Sequence, residues 1–149
     1  RFDMIALHAA LLLRRLRQAH DRTEELAQAV FDLMFADMDQ NLREMGVGDL
    51  AVGKRIKRMA QGFYGRLAAY DAGLADPSDR LLKDSLQRNV YRHGAADEVA
   101  LTKLAAYVRR QAEWLDRTDT DGLCAGGVSF APNTTVAEKA NADAAESAR

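Results

Sequence analysis

Asp37-x-Asp39-x-Asn41 opens the way a calcium loop opens, with oxygen-bearing side chains at alternate positions. Such a loop also needs glycine at its sixth position and an acid at its twelfth. Those places hold Leu42 and Gly48, and the stretch reads as continuous helix, so calcium binding is rejected. His8, His20 and His93 form no i,i+4 pair and no H-E-x-x-H, and Cys124 is the one cysteine, so the spacing of a zinc site is missing. His8 lies in an apolar run, where a histidine is more often packed than ligating. The chain has no phosphate-cradling glycine loop, no dinucleotide fingerprint and no G-x-S-x-G elbow. The expectation is a protein with no metal, no cofactor and no catalytic residue. One alternative stays open: a small helical enzyme or ligand-binding domain with Asp37, Asp39 and Arg66 lining a polar pocket, marked by perturbed carboxylates.

A different stretch asks for an explanation. GVGDLAVGKRIKRMAQGFYG, residues 46–65, reads as a glycine-bounded turn followed by a helix from about Val52 to Leu74. On that reading Lys54, Arg55, Lys57 and Arg58 crowd the helix's opening turn. Cations there oppose the helix dipole at a cost of about 0.3–1 kcal/mol each. Stability does not account for them, and binding would. At 100° per residue, Ile56, Met59, Ala60, Phe63, Leu67 and Tyr70 form the core arc. Lys54, Arg58, Gly62, Gly65 and Ala69 collect on the opposite side, flanked by Arg55 and Lys57. Glycines inside an exposed helix cost roughly 0.5–1 kcal/mol each relative to alanine. Their use is a flat strip that another backbone can approach. The competing readings are a solvated basic face, or cations paired with Asp37, Asp39, Glu44 or Asp49 just upstream, which would be worth only about 0–1 kcal/mol per pair.

The elements that position these residues are helical. Residues 2–19 form a first helix through Phe2, Ile5, Leu12 and Leu16. Asp21 and Glu24 resemble a capping box opening a second helix that runs to about Met45. Its apolar arc includes Val30, Phe31, Met34, Phe35, Met38, Leu42 and Met45. Methionines at helical spacing are usually core, and they also line adaptable grooves. Gly46-Val47-Gly48-Asp49 stops that helix, and Asp76-Pro77-Ser78 stops the third, with Asp76 or Ser78 as the next cap. A fourth helix covers about 79–92, closed by His93-Gly94, and Asp97 or Ala96 opens a fifth through Leu101, Leu104, Val108 and Leu115. No period-2 strand pattern and no internal repeat occur. The predicted fold is all-α, a single-domain bundle of about five helices spanning 1–117. A Gly/Ala-rich tail over 118–149 is expected to be partly ordered to about 131, with Val128-Ser129-Phe130 extended against the body, and mobile beyond.

The totals agree with this. At 149 residues one domain can bury a core without disulfides or metal, and one cysteine fits a reducing compartment. A net charge of −1 argues against general nucleic-acid binding, and specific DNA binding is not expected. No run reaches the roughly 20 apolar residues that cross a bilayer, so a soluble, cytoplasmic protein is expected. The chain starts at Arg1 rather than methionine and is read as part of a longer one.

ADMDQNLREMGVGDLAVGKRIKRMAQGFYGRLAAYD, residues 36–71, closely resembles the central signature of the ubiquinol–cytochrome c chaperone family, and RFDMIALHAALLLRRLR, residues 1–17, resembles its start. The resemblance covers about residues 1–75; beyond that only the helical texture fits. It implies a bacterial assembly factor for respiratory complex III. Its partner would be newly made cytochrome b or its nascent chain, with the ribosome, a small helper protein and peripheral contact with the inner membrane as further contacts of such a protein. The positions that match are Asp37, Asp39, Leu42, Arg43, Glu44, Met45, Gly46, Gly48, Asp49, Lys54, Arg55, Lys57, Phe63, Tyr64, Gly65 and Arg66. No catalytic role attaches to them. Joined to the basic and glycine face read above, they define a candidate partner-binding surface of Asp37, Asp39, Arg43, Glu44, Asp49, Lys54, Arg55, Lys57, Arg58, Gly62, Tyr64, Gly65 and Arg66.

Overall fold

The computed structural model describes residues 2–92, 94 and 96–132, and every regular element among them is helical. α1 (Phe2–Arg17) is the central rod: Leu7, Leu11 and Leu16 are fully buried, and Ala6 and Ala10 let neighbours approach. Around it pack α2 (His20–Glu44), α3 (Asp49–Ala75) and α5 (Glu98–Arg117). α4 (Arg80–Leu86) seals one end with Leu82 and Leu86, and a short α6 (Thr120–Cys124) adds Leu123 to the core. The all-α expectation holds. No described helix is long and apolar enough to cross a membrane.

The junctions are built from side chains that satisfy helix ends. α2 begins at His20, one residue before the expected cap. Asp21 therefore lies inside the first turn and the capping box does not form. Thr23 instead donates its hydroxyl to the carbonyls of Leu16 and Ala19, closing the end of α1. At the end of α2, Gly46 takes φ +80°, and the N–H groups of Gly46 and Val47 return to Arg43 and Leu42, a Schellman closure. At the next corner Asp76 caps the turn. Its carboxylate accepts from the N–H and hydroxyl of Ser78 and from the Leu81 N–H, which holds its pKa below the usual carboxylate value. Arg109 reaches back from α5 to the carbonyls of Gly73, Leu74 and Asp76 and to the Asp79 carboxylate, so one guanidinium closes the C-terminal end of α3. Buried Arg15 does the same for α5, donating to the carbonyls of Leu115 and Thr118.

Three further boundaries differ from the sequence reading. α3 starts at Asp49, not near Val52, because Gly48 is the cap and its carbonyl already accepts from the Ala51 and Val52 N–H groups. The fourth helix is not uniform to residue 92. α4 passes into a π-helical turn, Gln87–Tyr91, that ends at Arg92 with φ +48°. Asp119 caps α6 by accepting from the Gly122 N–H, a helix too short for periodicity to reveal. The segment after it carries no strand. Gln111 clasps both the N–H and carbonyl of Ala131, and Phe130 lies edge-on to His8 at 4.9 Å. His8 is indeed packed: its Nδ1–H donates to the Met4 carbonyl at 2.7 Å, leaving Nε2 to accept from the Tyr107 hydroxyl at 2.7 Å. The expected mobile stretch, 133–149, and His93 lie outside the described residues.

Candidate functional site

The thirteen candidate residues fall into four groups. The first is the α2–α3 turn, where Arg43 is held between Asp39 and Asp49. The hydrogen bond and charge of Asp39, then Asp49, raise its already high pKa. Asp37 accepts from Asn41, and Glu44 accepts from Gln40. These acids are therefore engaged locally. They do not neutralise the lysines and arginines downstream.

The second group is the outer face of α3. Lys54, Arg55, Lys57 and Arg58 are all exposed, and none forms an ion pair with a described residue. Because α3 begins at Asp49, Lys54 is its sixth residue. The cations stand beyond the first turn, where the dipole penalty fades. The helix dipole therefore does not oppose them as the sequence suggested, and no described residue pairs with them. Gly62 and Gly65 lie on the same side, and a Cβ added at either would meet nothing within 4 Å. Leu50, 93% exposed, stands at the start of this face, and Met45 at the end of α2 is 77% exposed.

The third group borders two adjoining concavities. One is a groove of about 660 Å³ between the start of α1, the C-terminal half of α2 and the start of α3. It is lined by Phe2, Ile5, Met34, Met38, Leu42, Met45 and Met59, together with the polar Asp37 and Asn41. The methionine arc of α2 is thus half core and half groove: Phe35 and Met38 are buried, and Met45 is open. The second concavity, about 190 Å³, is lined by Phe2, Arg58, Met59, Gly62, Phe63, Arg66 and Arg92. Phe2 and Met59 belong to both. Asp3 ties the arginines together, accepting from Arg66 at 2.9 Å and from Arg92 at 2.5 Å.

Tyr64 is the fourth case and sits apart. Its ring stacks on Phe31 at 5.2 Å, in a small cleft on the other flank of α3 with Leu13, His20 and Leu67. The polar pocket of Asp37, Asp39 and Arg66 is not formed. Asp37 lines the methionine groove, Asp39 is bound to Arg43, and Arg66 lines the other cavity and pairs with Asp3. Among the described residues no group of His, Cys, Asp or Glu is placed to hold a metal ion. Sequence reasoning missed Phe2, Asp3, Met59 and Arg92 as site residues. Asp3 and Arg92 meet across 89 positions, and no local pattern carries that. Met59 was legible only as core.

The described residues thus form a helical bundle with an open, mostly apolar groove, an arginine-lined hollow beside it and an exposed basic face on α3. The comparisons with known proteins make the class specific. The chain belongs to the ubiquinol–cytochrome c chaperone family, whose model matches residues 1–130, well past the first 75 on which the sequence resemblance rested. It is 30% identical over 132 residues to the human ubiquinol–cytochrome c reductase complex assembly factor 1 and 28% identical over 126 residues to the Xenopus laevis protein of that name. Those stretches take in 88% and 85% of this chain but only 44% and 62% of the relatives, so the chain spans about half their length. The crystal structure of the Cbp3 homolog from Brucella abortus superposes with a TM-score of 0.78 at 36% identity, covering 89% of this chain and 72% of that one.

Proposed function

We propose that this protein is a non-catalytic assembly chaperone for ubiquinol–cytochrome c reductase, and that it holds newly made cytochrome b through the methionine groove between α1, α2 and α3. The observation that carries this reading is the groove itself: seven apolar residues, four of them methionines, line an open trough of about 660 Å³ on a chain of this family. Unbranched thioethers re-pack around different apolar side chains at little cost, which suits a protein that must accept and release a membrane segment. The relatives that match are named as assembly factors of that complex, which supports the choice of client. An enzyme reading gains nothing from the site, since its three polar candidates stand apart.

The outer face of α3 then serves to keep the chaperone near its client. Its four cations, which pair with no described residue, suit a phosphate-bearing surface, either anionic lipid at the inner membrane or ribosomal RNA, and Leu50 at the leading edge favours lipid, into which an apolar side chain can insert. On this reading the protein is cytoplasmic and peripheral to the membrane, and a small helper subunit would bind elsewhere on the bundle. A photo-crosslinking residue placed at Met45 or Met59 tests the groove directly. Adducts with newly made cytochrome b from these positions, and none from the far side at Glu113, are expected. Adducts of equal yield from all three positions would remove the groove from the account.

A further inference from the structure

The small cavity beside the groove has a charge pattern that client binding through apolar contacts does not require. Three guanidiniums, those of Arg58, Arg66 and Arg92, line about 190 Å³ of space whose remaining walls are Phe2, Met59, Phe63 and the bare backbone of Gly62. No acid lines it. Asp3 is not among the lining residues but pairs with two of the three guanidiniums, and it engages only part of the donor set: a guanidinium carries several N–H groups, and Asp3 takes one from Arg66 and two from Arg92. Arg58 makes no ion pair with any described residue. Arg66 is fixed in place by Asp3 and by lying over the Phe2 ring, 5.5 Å from its centroid. Arg92 is set there by the π-helical turn and its positive φ, a backbone state uncommon outside glycine.

Like charges gathered around an apolar-walled hollow focus a positive potential into it. A carboxylate fits the forked donors of arginine and would offset their mutual repulsion. Because Phe2 and Met59 wall both spaces, a chain lying in the methionine groove passes directly beside the arginines. We infer that this cavity is an acid-reading subsite, which receives an Asp or Glu side chain flanking the apolar segment held in the groove. The subsite rests on the groove reading above and adds to it a register: the bound segment is fixed by one acidic residue next to its apolar stretch. Gly62 lines the cavity with bare backbone, and a side chain there would take up part of its space.

The test uses two fluorescein-labelled peptides of roughly 18 residues, long enough for about five helical turns. Each is a Leu/Ala-rich amphipathic helix, and they differ in one residue near the end, Glu or Gln. Affinity is read by fluorescence anisotropy with the intact protein and with Arg58→Gln and the Arg58→Gln/Arg92→Gln double variant, each checked for native helicity. The expected result is binding of the Glu peptide about tenfold tighter than the Gln peptide, a charge-assisted pair's worth of preference. That preference should fall with salt and shrink to threefold or less in the double variant. Equal affinity for the two peptides overturns the subsite and leaves the groove standing. A preference that survives in the double variant also overturns it, since the acid would then be read elsewhere. If neither peptide binds, the groove reading itself fails and the subsite goes with it.

Discussion

Replacing Gly73 by alanine should weaken the fold, although the same change three turns earlier on the same helix, at Gly62, should strengthen it. Gly73 is buried where α3 meets α4. A Cβ built there falls 2.7 Å from the Cα of Leu82, 2.9 Å from its nitrogen and 3.0 Å from its Cβ. None of these is the tip of a flexible side chain, so α4 must shift bodily while Leu82 and Leu86, both fully buried, are dragged from their seats. Overpacking of this kind costs about 1–3 kcal/mol, and alanine's helix preference returns about 0.5–1 kcal/mol. The net expectation is a loss of about 1–2 kcal/mol, or a Tm lowered by about 3–6 °C for a chain of this size. Gly62→Ala meets open space and should instead gain about 0.5–1 kcal/mol. Thermal and urea unfolding followed by circular dichroism would read both. A Gly73→Ala protein as stable as the parent, or a Gly62→Ala protein destabilised as much, would refute the close-approach argument.

Other substitutions test other joints. Tyr70 is buried with its hydroxyl lacking a described partner, and burial pushes its pKa up to about 12. The neutral form is thus favoured by the fold, so its contribution is intact below the unfolded value near 10 and is lost as pH rises toward 12. Tyr70→Phe should be neutral or stabilising by about 1 kcal/mol at neutral pH and should flatten the loss of stability between pH 10 and 12, measured by urea midpoints across that range. Arg109→Met keeps the stem but strands the carbonyls of Gly73, Leu74 and Asp76. A loss of about 2–4 kcal/mol is expected, with faster amide exchange at the end of α3.

Much of this molecule can be read locally, and the site is where local reading stops. Gly46 and the methionine and phenylalanine periods placed α2, α3 and their core faces, because burial imposes a 3.6-residue repeat that survives in one sequence. The start of α3 was misplaced because Gly48-Asp49 reads as the end of a turn, whereas glycine there is the cap and Asp49 the first helical residue. That three-residue shift changes the physics of the cations: they pair with no described residue, but they are not in conflict with the dipole. Arg43 shows the converse. It belongs to the same signature as Lys54, yet its charge is spent on Asp39 and Asp49, which only the folded turn reveals. The arginine cavity could not be seen at all, since it joins the first residues of α1 to the middle of α3 and to a π-helical turn with no sequence signal of its own.

The central claim is that this chain serves complex III through its groove and its basic helix face. The most direct measurement is to delete the gene in its host, quantify cytochrome b and assembled complex III, and complement with wild type, with a groove variant carrying Met45→Asp and Met59→Asp, and with the reversal of Lys54, Arg55, Lys57 and Arg58 to glutamate. Loss of the complex, restored by wild type but by neither folded variant, is the expected result. Unchanged cytochrome b and complex III in the deletion would contradict the account.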